Sequence, residues 1–266
     1  MVSISAAARV ERGVRSINDD RALVLDTVLN ESNVCGECET PAVAAVCDGC
    51  GGYYGGGTAA TIVLETLKSI PAERICDEAT LVQALDECRR RVMLKKERER
   101  RLSKMCTTIA GVLFDEDKTF VFHSGDSRVY RFDGKYLVKM TNDHSAVQEM
   151  INIGLLKESD LESALQKNVI TRCIGVECAP PEVHVSYVSI LPGETYLICS
   201  DGFWGSVIDN DIINVLSSDQ PIDKKADELV ELALAHNSRD NISVCLCSRD
   251  GEKHEETETD KPFVLD

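Results

Sequence analysis

The stretch TTIAGVLFDEDKTFVFHSGDSRVYRFDGKYLVKMT, residues 107–141, holds four runs that are apolar or alternate apolar with polar residues, separated by Asp, Gly and Lys turns. Runs of this kind between turn formers read as β-strands, and four in succession predict a meander. Outward from this β-rich centre the period changes. Upstream, TAATIVLETLKSI (58–70) reads as a helix that stops before Pro71. Residues 78–105 read as a long helical stretch with Leu81, Leu85, Cys88 and Val92 at core-facing spacing. RALVLDTVL (21–29) and AVAAVC (42–47) read as two strands joined by the polar loop ESNVCGECET. Downstream, residues 145–167 read as polar helix broken at Gly154, with ESDLESAL as a capped second helix. VHVSYVSI and TYLICS return to strand, DKKADELVELALAH is an amphipathic helix, and NISVCLC is a last strand. Strands in runs with helices in pairs argue for an α+β layered sandwich of antiparallel sheets covered by helices, and against a doubly wound nucleotide fold.

The chain has 266 residues, 43% hydrophobic and 28% charged, enough for the core of one large domain. That domain is expected over residues 1–248. The tail 249–266 is acidic, lacks periodicity and is expected to be disordered. A net charge of −16 repels nucleic acid and anionic membrane and favours divalent cations and basic partners. The N-terminus has no apolar segment of signal-peptide type, and no stretch approaches the roughly 20 apolar residues of a membrane span, so a cytoplasmic protein is expected. The segment 89–104 holds nine basic and two acidic residues. It reads first as a solvated helix face, with a docking surface for an acidic partner as the other reading.

Most of the twelve cysteines sit singly inside apolar runs and read as small core hydrophobes of a reducing compartment. Cys35, Cys38, Cys47 and Cys50 form two C-x2-C pairs, a zinc-like spacing. If residues 42–48 form a strand, at about 3.3 Å per residue the pairs stand about 20 Å apart, too far for one ion. A zinc or labile disulfide at CGEC alone is the remaining metal or redox reading there. The five histidines are scattered and form no metal-type pair. His144 in TNDHS reads as a hydrogen-bonded structural residue, and there is no G-x-S-x-G nucleophile elbow.

Four aspartates stand where an apolar run meets a tight turn: Asp20, Asp48, Asp201 and Asp240. Alone, each reads as a helix cap or Asx-turn. Together, such strand ends can converge on one hard cation. The glycine cluster GCGGYYGGGT follows a strand and opens a helix, but it lacks both the dinucleotide fingerprint and the Gly-Lys-Ser/Thr of a P-loop. It reads as a sharp turn beside Asp48.

Seven ordered motifs, RSINDD (15–20), VCDGCGG (46–52), SGDSRVY (124–130), TNDHS (141–145), ITRCIG (170–175), CSDGFW (199–204) and RDNISV (239–244), give the chain a resemblance to the metal-dependent type 2C serine/threonine protein phosphatases, especially their short bacterial members. The resemblance implies a four-layer αββα sandwich of two antiparallel sheets flanked by helices. It also implies two Mn²⁺ or Mg²⁺ ions between the sheets, with Asp48 bridging them and the Gly49 carbonyl on one. Asp20, Asp201 and Asp240 contribute carboxylates, directly or through water, and Asp19 takes the acidic position before Asp20. Arg15 matches the arginine that grips substrate phosphate, and Asp126 joins Asp201 in holding a third, weaker metal. Carboxylate, carbonyl and water donors suit these hard ions. Two such ions lower the pKa of a shared water, which attacks phosphorus in line without a covalent phosphoenzyme.

The implied substrates are phosphorylated proteins, the targets of a bacterial Ser/Thr kinase, and the enzyme is expected to act as a monomer. A catalytically silent phosphoprotein binder and a phosphatase of small phosphate esters are the alternative readings. Silent relatives typically lose metal aspartates, and here all four are present. Cys50 stands where bacterial relatives commonly carry methionine and eukaryotic ones histidine. Two readings follow: an oxidation-sensitive thiol with thiolate character, or a packing residue. The segment 145–169 corresponds to the flap of the family and reads either as a mobile lid or as a fixed helical pair.

Overall fold

The computed structural model describes residues 1–50, 55–75, 77–157, 169–176 and 180–249. In chain order the strands are β1 (Ser3–Glu11), β2 (Arg21–Val24), β3 (Thr27–Leu29), β4 (Asn33–Glu39), β5 (Ala42–Cys47), β6 (Gly49–Cys50), β7 (Cys106–Thr107), β8 (Ile109–Phe114), β9 (Thr119–Ser124), β10 (Arg128–Phe132), β11 (Leu137–Lys139), β12 (Glu182–Ser186), β13 (Thr195–Cys199) and β14 (Ile242–Ser248). The helices are α1 (Gly56–Lys68), α2 (Glu78–Arg98), α3 (Ala146–Asn152), α4 (Asp201–Trp204), α5 (Asp209–Ser217) and α6 (Ile222–Ala235). One sheet runs β11-β10-β13-β14-β1-β4, the other β12-β9-β8-β5-β2-β3, and β6 pairs with β7 in a short separate ladder.

The period of two along each strand sorts side chains into three apolar layers. On β14, Val244 and Leu246 pack with Phe203, Leu229 and Val230 of α4 and α6, whereas Cys245 and Cys247 join the layer between the sheets. That central layer includes Ile4, Ala6, Ala8, Ala22, Ala44, Ala110 and Phe114, and the alanines let the sheets approach closely. On the far side, Leu23, Ala45, Leu113 and Phe120 meet Val63 and Leu67 of α1 and Leu81, Leu85 and Val92 of α2. The order helix, sheet, sheet, helix is the expected four-layer α+β sandwich.

Three expectations change. The central strands are not one meander: β8 pairs with β9 in one sheet and β10 with β11 in the other. The chain crosses between sheets at residues 125–127, where Gly125 adopts φ +119, and the crossing sets Asp126 at the sheet ends. The polar loop 31–40 contains an edge strand, β4, that pairs with β1. Cys35 and Cys38 therefore lie three apart on an extended strand and point to opposite faces, which removes the CGEC zinc or disulfide reading. With Cys35 and Cys38 in one sheet and Cys47 in the other, the four-cysteine zinc reading has no basis either.

The ESDLESAL helix and residues 158–168 of the flap lie outside the described residues, as does the tail from residue 250. α2 bears out the solvated-face reading at its charged end, where Arg89 pairs with Asp86, Arg90 and Arg91 with Glu87, and Lys95 and Arg101 with Glu99.

A buried ion pair braces the crossing. The Arg128 guanidinium donates to both oxygens of Asp143, at 2.6 Å from Nη2, and to Tyr130 Oη at 2.9 Å. It also lies 3.5 Å from the centroid of the Trp204 ring, whose Nε1 donates to the Asp126 carbonyl. Arg128→Met strands a buried carboxylate and is expected to cost roughly 3–5 kcal/mol, read from the urea unfolding midpoint. A change within the noise of that measurement would show that the pair carries no net stability.

Candidate active site

The strands and turns that carry the acidic motifs meet at one end of the sandwich. Asp48 follows β5, Asp20 precedes β2, Asp201 opens α4 directly after β13, and Asp240 precedes β14. Asp126 enters from the crossing between β9 and β10. The carboxylates are close enough to raise one another's pKa. Burial, then the charges of Asp20, Asp201, Asp126 and Asp240, push Asp48 well above the carboxylate range. Asp126 is raised to about 7 by burial and then by Asp201 and Asp143. Asp201 is raised by burial and Asp240. Asp20 is 1% exposed and raised to about 7 by burial, although Ser200 and Ser243 hydroxyls donate to its Oδ2 at 2.7 and 2.8 Å.

The backbone around Asp48 is fixed independently of its carboxylate. Its N–H donates to Thr108 Oγ1 at 2.9 Å, and its carbonyl accepts from Thr108 N–H at 2.8 Å and Thr107 Oγ1 at 2.9 Å. Gly49 passes so near α1 that a Cβ there would sit 2.2 Å from the Gly56 carbonyl carbon. Only glycine allows this approach of β6 to the helix start, and residues 51–54 of the cluster, where the sharp turn is expected, lie outside the described residues.

Asp19, implied with Asp20 among the metal residues, also makes structural contacts. Its Oδ1 accepts from Gly57 N–H at 2.7 Å in the first turn of α1, and its own N–H donates to Asn241 Oδ1 at 2.9 Å. It fastens α1 to the turn before β14. Arg15 Nη2 donates to Asp240 Oδ2 at 2.6 Å and its Nε to the Arg239 carbonyl. With side chains about half exposed, the guanidinium stands at the rim. A polar groove of about 430 Å³ is lined by Asp19, Arg21, Lys95, Glu99 and Arg101 among others.

Asp126 Oδ1 and Asp201 Oδ1 are buried without a hydrogen-bond partner. Buried anions that repel one another and leave oxygens unpaired lack a cation. The donors are oxygens throughout, which fits a hard divalent ion rather than zinc or copper.

Two corrections concern other groups. Of the two readings of Cys50, the thiolate one is the reading that fails, because its contact with the Cys106 thiol, then burial and the Asp48 charge, push Cys50 upward. Cys106 is the depressed thiol, held down to about 3 by contacts with the Cys173 and Cys50 thiols and aided by Lys96.

The histidines do gather: His123 and His144 stack at 4.6 Å between ring centroids, and His144 Nε2 lies 3.1 Å from Glu182. These three offer ligand atoms within 4.8 Å of one another. Strand pairing of β9 with β12 sets Glu182 opposite His123, and His144 stacks on His123 from the segment before α3, which spacing along the chain does not reveal. Hydrogen bonds set their tautomers. His144 Nδ1 accepts from Gly125 N–H, so the neutral ring carries its proton on Nε2 facing Glu182. His123 Nε2 faces the Asn142 carbonyl and must donate. One lone-pair nitrogen and a carboxylate already paired with Arg172 remain, a hydrogen-bonded brace rather than a metal donor set. The structural reading of His144 stands.

Comparison with known proteins agrees with the fold and motifs. The family described as "Protein phosphatase 2C" matches residues 30–246. The chain is 29% identical over 254 residues to the serine/threonine phosphatase stp of Listeria monocytogenes, covering 92% of this chain and 96% of the relative. The crystal structure of Mycobacterium tuberculosis PstP superposes with a TM-score of 0.81 at 27% identity, over 94% of this chain and all of that one. A second PstP structure, of the catalytic domain in complex with two manganese ions, superposes with a TM-score of 0.77 at 26% identity, covering 94% of this chain and all of that one. The fold is that of the bacterial serine/threonine phosphatases. The chain belongs to the protein phosphatase 2C family and is an enzyme of the serine/threonine phosphatase class.

Proposed function

We propose that the protein hydrolyses phosphoserine and phosphothreonine in proteins, using divalent cations held by Asp48, the Gly49 carbonyl, Asp20, Asp201 and Asp240, with Asp126 and Asp201 forming a weaker further site. The observation that carries this reading is the set of mutually raised carboxylates, two of them with unpaired buried oxygens. The manganese ions of the PstP complex support it by likeness. Bound ions would supply activation of water and neutralisation of phosphoryl charge.

The chain's own residues do the rest. Ser200 and Ser243 hold Asp20 through one oxygen and leave the other for the site. The two threonines fix the Asp48 backbone, so its carboxylate is placed without cost at the moment of reaction. Asp19 acts as a positioning residue through α1. Arg15 receives the substrate phosphate at the rim; its present partner is Asp240, so a cation that draws on Asp240 would release the guanidinium for bidentate contact. The physiological substrates are proposed to be proteins phosphorylated by a Ser/Thr kinase, and the active unit a monomer.

Hydrolysis of a phosphothreonine peptide and of p-nitrophenyl phosphate with Mn²⁺, lost on adding EDTA, tests the reading. Hydrolysis that survives chelation would remove it, and binding of phosphopeptide without turnover would favour a silent member of the fold. Arg15→Ala is expected to raise KM by about tenfold while changing kcat less, because the contact acts mainly in ground-state binding. Unchanged kcat/KM for the peptide would take Arg15 out of the substrate site.

A further inference from the structure

Three thiols crowd a side of the candidate site that the carboxylates do not use. Cys50 of β6 and Cys106 of β7 are Cα partners in the short antiparallel ladder, and both are free and partly exposed. The ladder is held on each flank. Thr108 N–H donates to the Asp48 carbonyl at 2.8 Å, and Thr107 exchanges backbone hydrogen bonds with Ile174 at 2.9 and 2.8 Å. The second exchange brings in Cys173, a buried thiol. Residues directly opposed in an antiparallel ladder have Cα atoms about 4.5–5.5 Å apart, inside the roughly 4.4–6.8 Å range of disulfides. Positive charge lies near: Lys96 Nζ donates to the Gly175 carbonyl, and a Cβ built on Gly175 would stand 3.0 Å from Cys106 Cα. The C-x2-C pair Cys35 and Cys38 lacks such an opposed geometry because both lie on β4.

We propose that Cys50 and Cys106 form a peroxide-responsive pair, joined by a hydroperoxide into a cross-strand disulfide that lowers the activity of the neighbouring site. The regulatory half rests on the phosphatase reading; the thiol chemistry does not. In the first step the Cys106 sulfur attacks the hydroperoxide. An S–O bond forms as the O–O bond breaks, and the thiol proton leaves with the departing alcohol or water. In the second the Cys50 sulfur displaces that hydroxyl; the S–S bond forms, the S–O bond breaks, and water carries away the Cys50 proton. Two thiols give up two electrons in total and one hydroperoxide takes them. Closing the sulfurs to about 2.05 Å draws Cys50 toward Cys106. Cys50 follows Asp48 and Gly49 directly, so the movement reaches two of the residues proposed to hold the cations. Misplacement of a reacting group by about 1 Å can cost as much as 10²-fold in rate. A fall of roughly 10-fold to 100-fold is therefore expected.

The test treats the full chain, loaded with Mg²⁺, with hydrogen peroxide and divides it between peptide mapping by mass spectrometry and the phosphothreonine-peptide assay. Expected are a Cys50–Cys106 linked peptide, a parallel loss of activity, and recovery of both states with dithiothreitol. Cys106→Ser should prevent the link and resist peroxide, with Cys106→Ala as a second variant in case serine disturbs the ladder. Cys173→Ser should still form the link. Free Cys50 and Cys106 after peroxide treatment, a Cys106–Cys173 link in their place, or wild-type loss of activity in both Cys106 variants would overturn the pair. A link that leaves turnover unchanged would overturn the regulation. A reduced, metal-loaded protein with no turnover would count against the phosphatase reading, and the mapped peptide would then decide the thiol pair alone.

Discussion

Asp48→Ala is expected to lower kcat/KM for a phosphothreonine peptide by at least roughly 10²–10³-fold, the loss seen when one preorganised electrostatic group is removed from a site. The effect should exceed that of any other single aspartate, because four neighbouring carboxylates act on Asp48. The fold should survive, since the backbone of this residue is held by Thr107 and Thr108 and not by its own carboxylate. The same substitution should have the opposite sign on metal-free stability. It removes a buried carboxyl whose ionisation is opposed by burial and by its neighbours, so in EDTA near neutral pH, where that group must take up a proton on folding, the variant should melt higher than wild type. Added Mn²⁺ should then raise the melting temperature of wild type and leave the variant nearly unmoved. Asp201→Ala should follow the same pattern with a smaller release. Turnover that persists in both variants, or equal stabilisation by Mn²⁺ in wild type and Asp48→Ala, would dismantle the proposed centre.

What could be read before the structure was the chemistry at strand ends and the long-period elements. The leucines of α2 announce themselves because burial on one face imposes a period, and β8 and β9, buried on both faces, announce themselves as short apolar runs between turns. The acidic motifs were legible because each joins a strand pattern to a turn pattern within a few residues. Three features were not. β1 is rich in alanine, a weak strand former, and is a strand because Ala6 and Ala8 let two sheets close together. β4 alternates exposed and half-buried residues at a sheet edge, so its polar composition resembles a loop. The split of the central meander depends on where Gly125 turns the chain, which is a tertiary choice. At the site, the Cys50 environment and the histidine brace arise from partners 56 residues away on β7 and across the β9–β12 pairing. No local spacing carries that information. The comparison with solved relatives supports the fold and family, while the roles of individual residues rest on the geometry.

The stabilisation that a divalent cation gives should depend steeply on pH. Asp20 and Asp126 are raised from an ordinary value of 3.8 to about 7 in the metal-free fold. A carboxyl raised on folding binds its proton more tightly in the native state than in the unfolded one. Its penalty on stability is absent below the unfolded value, grows as pH rises through the interval, and is complete above the folded value. Because Asp48, Asp126 and Asp201 influence one another, the protons leave the group as a set rather than residue by residue. The metal-free protein should thus lose melting temperature between about pH 4 and pH 7. A cation competes with those same protons, so it gains little when the group is protonated and most when it is ionised. The Mn²⁺-induced rise in melting temperature should be small at about pH 5 and several-fold larger at about pH 8. Asp126→Asn should flatten part of that dependence by removing one titrating member. Thermal melts with EDTA or saturating Mn²⁺ across this range measure both curves. A metal-free melting temperature that climbs through the interval, or a Mn²⁺ effect of equal size at both ends, would mean that the carboxylates are already ionised and balanced without a cation. The electrostatic argument for the centre would then fail at its first step.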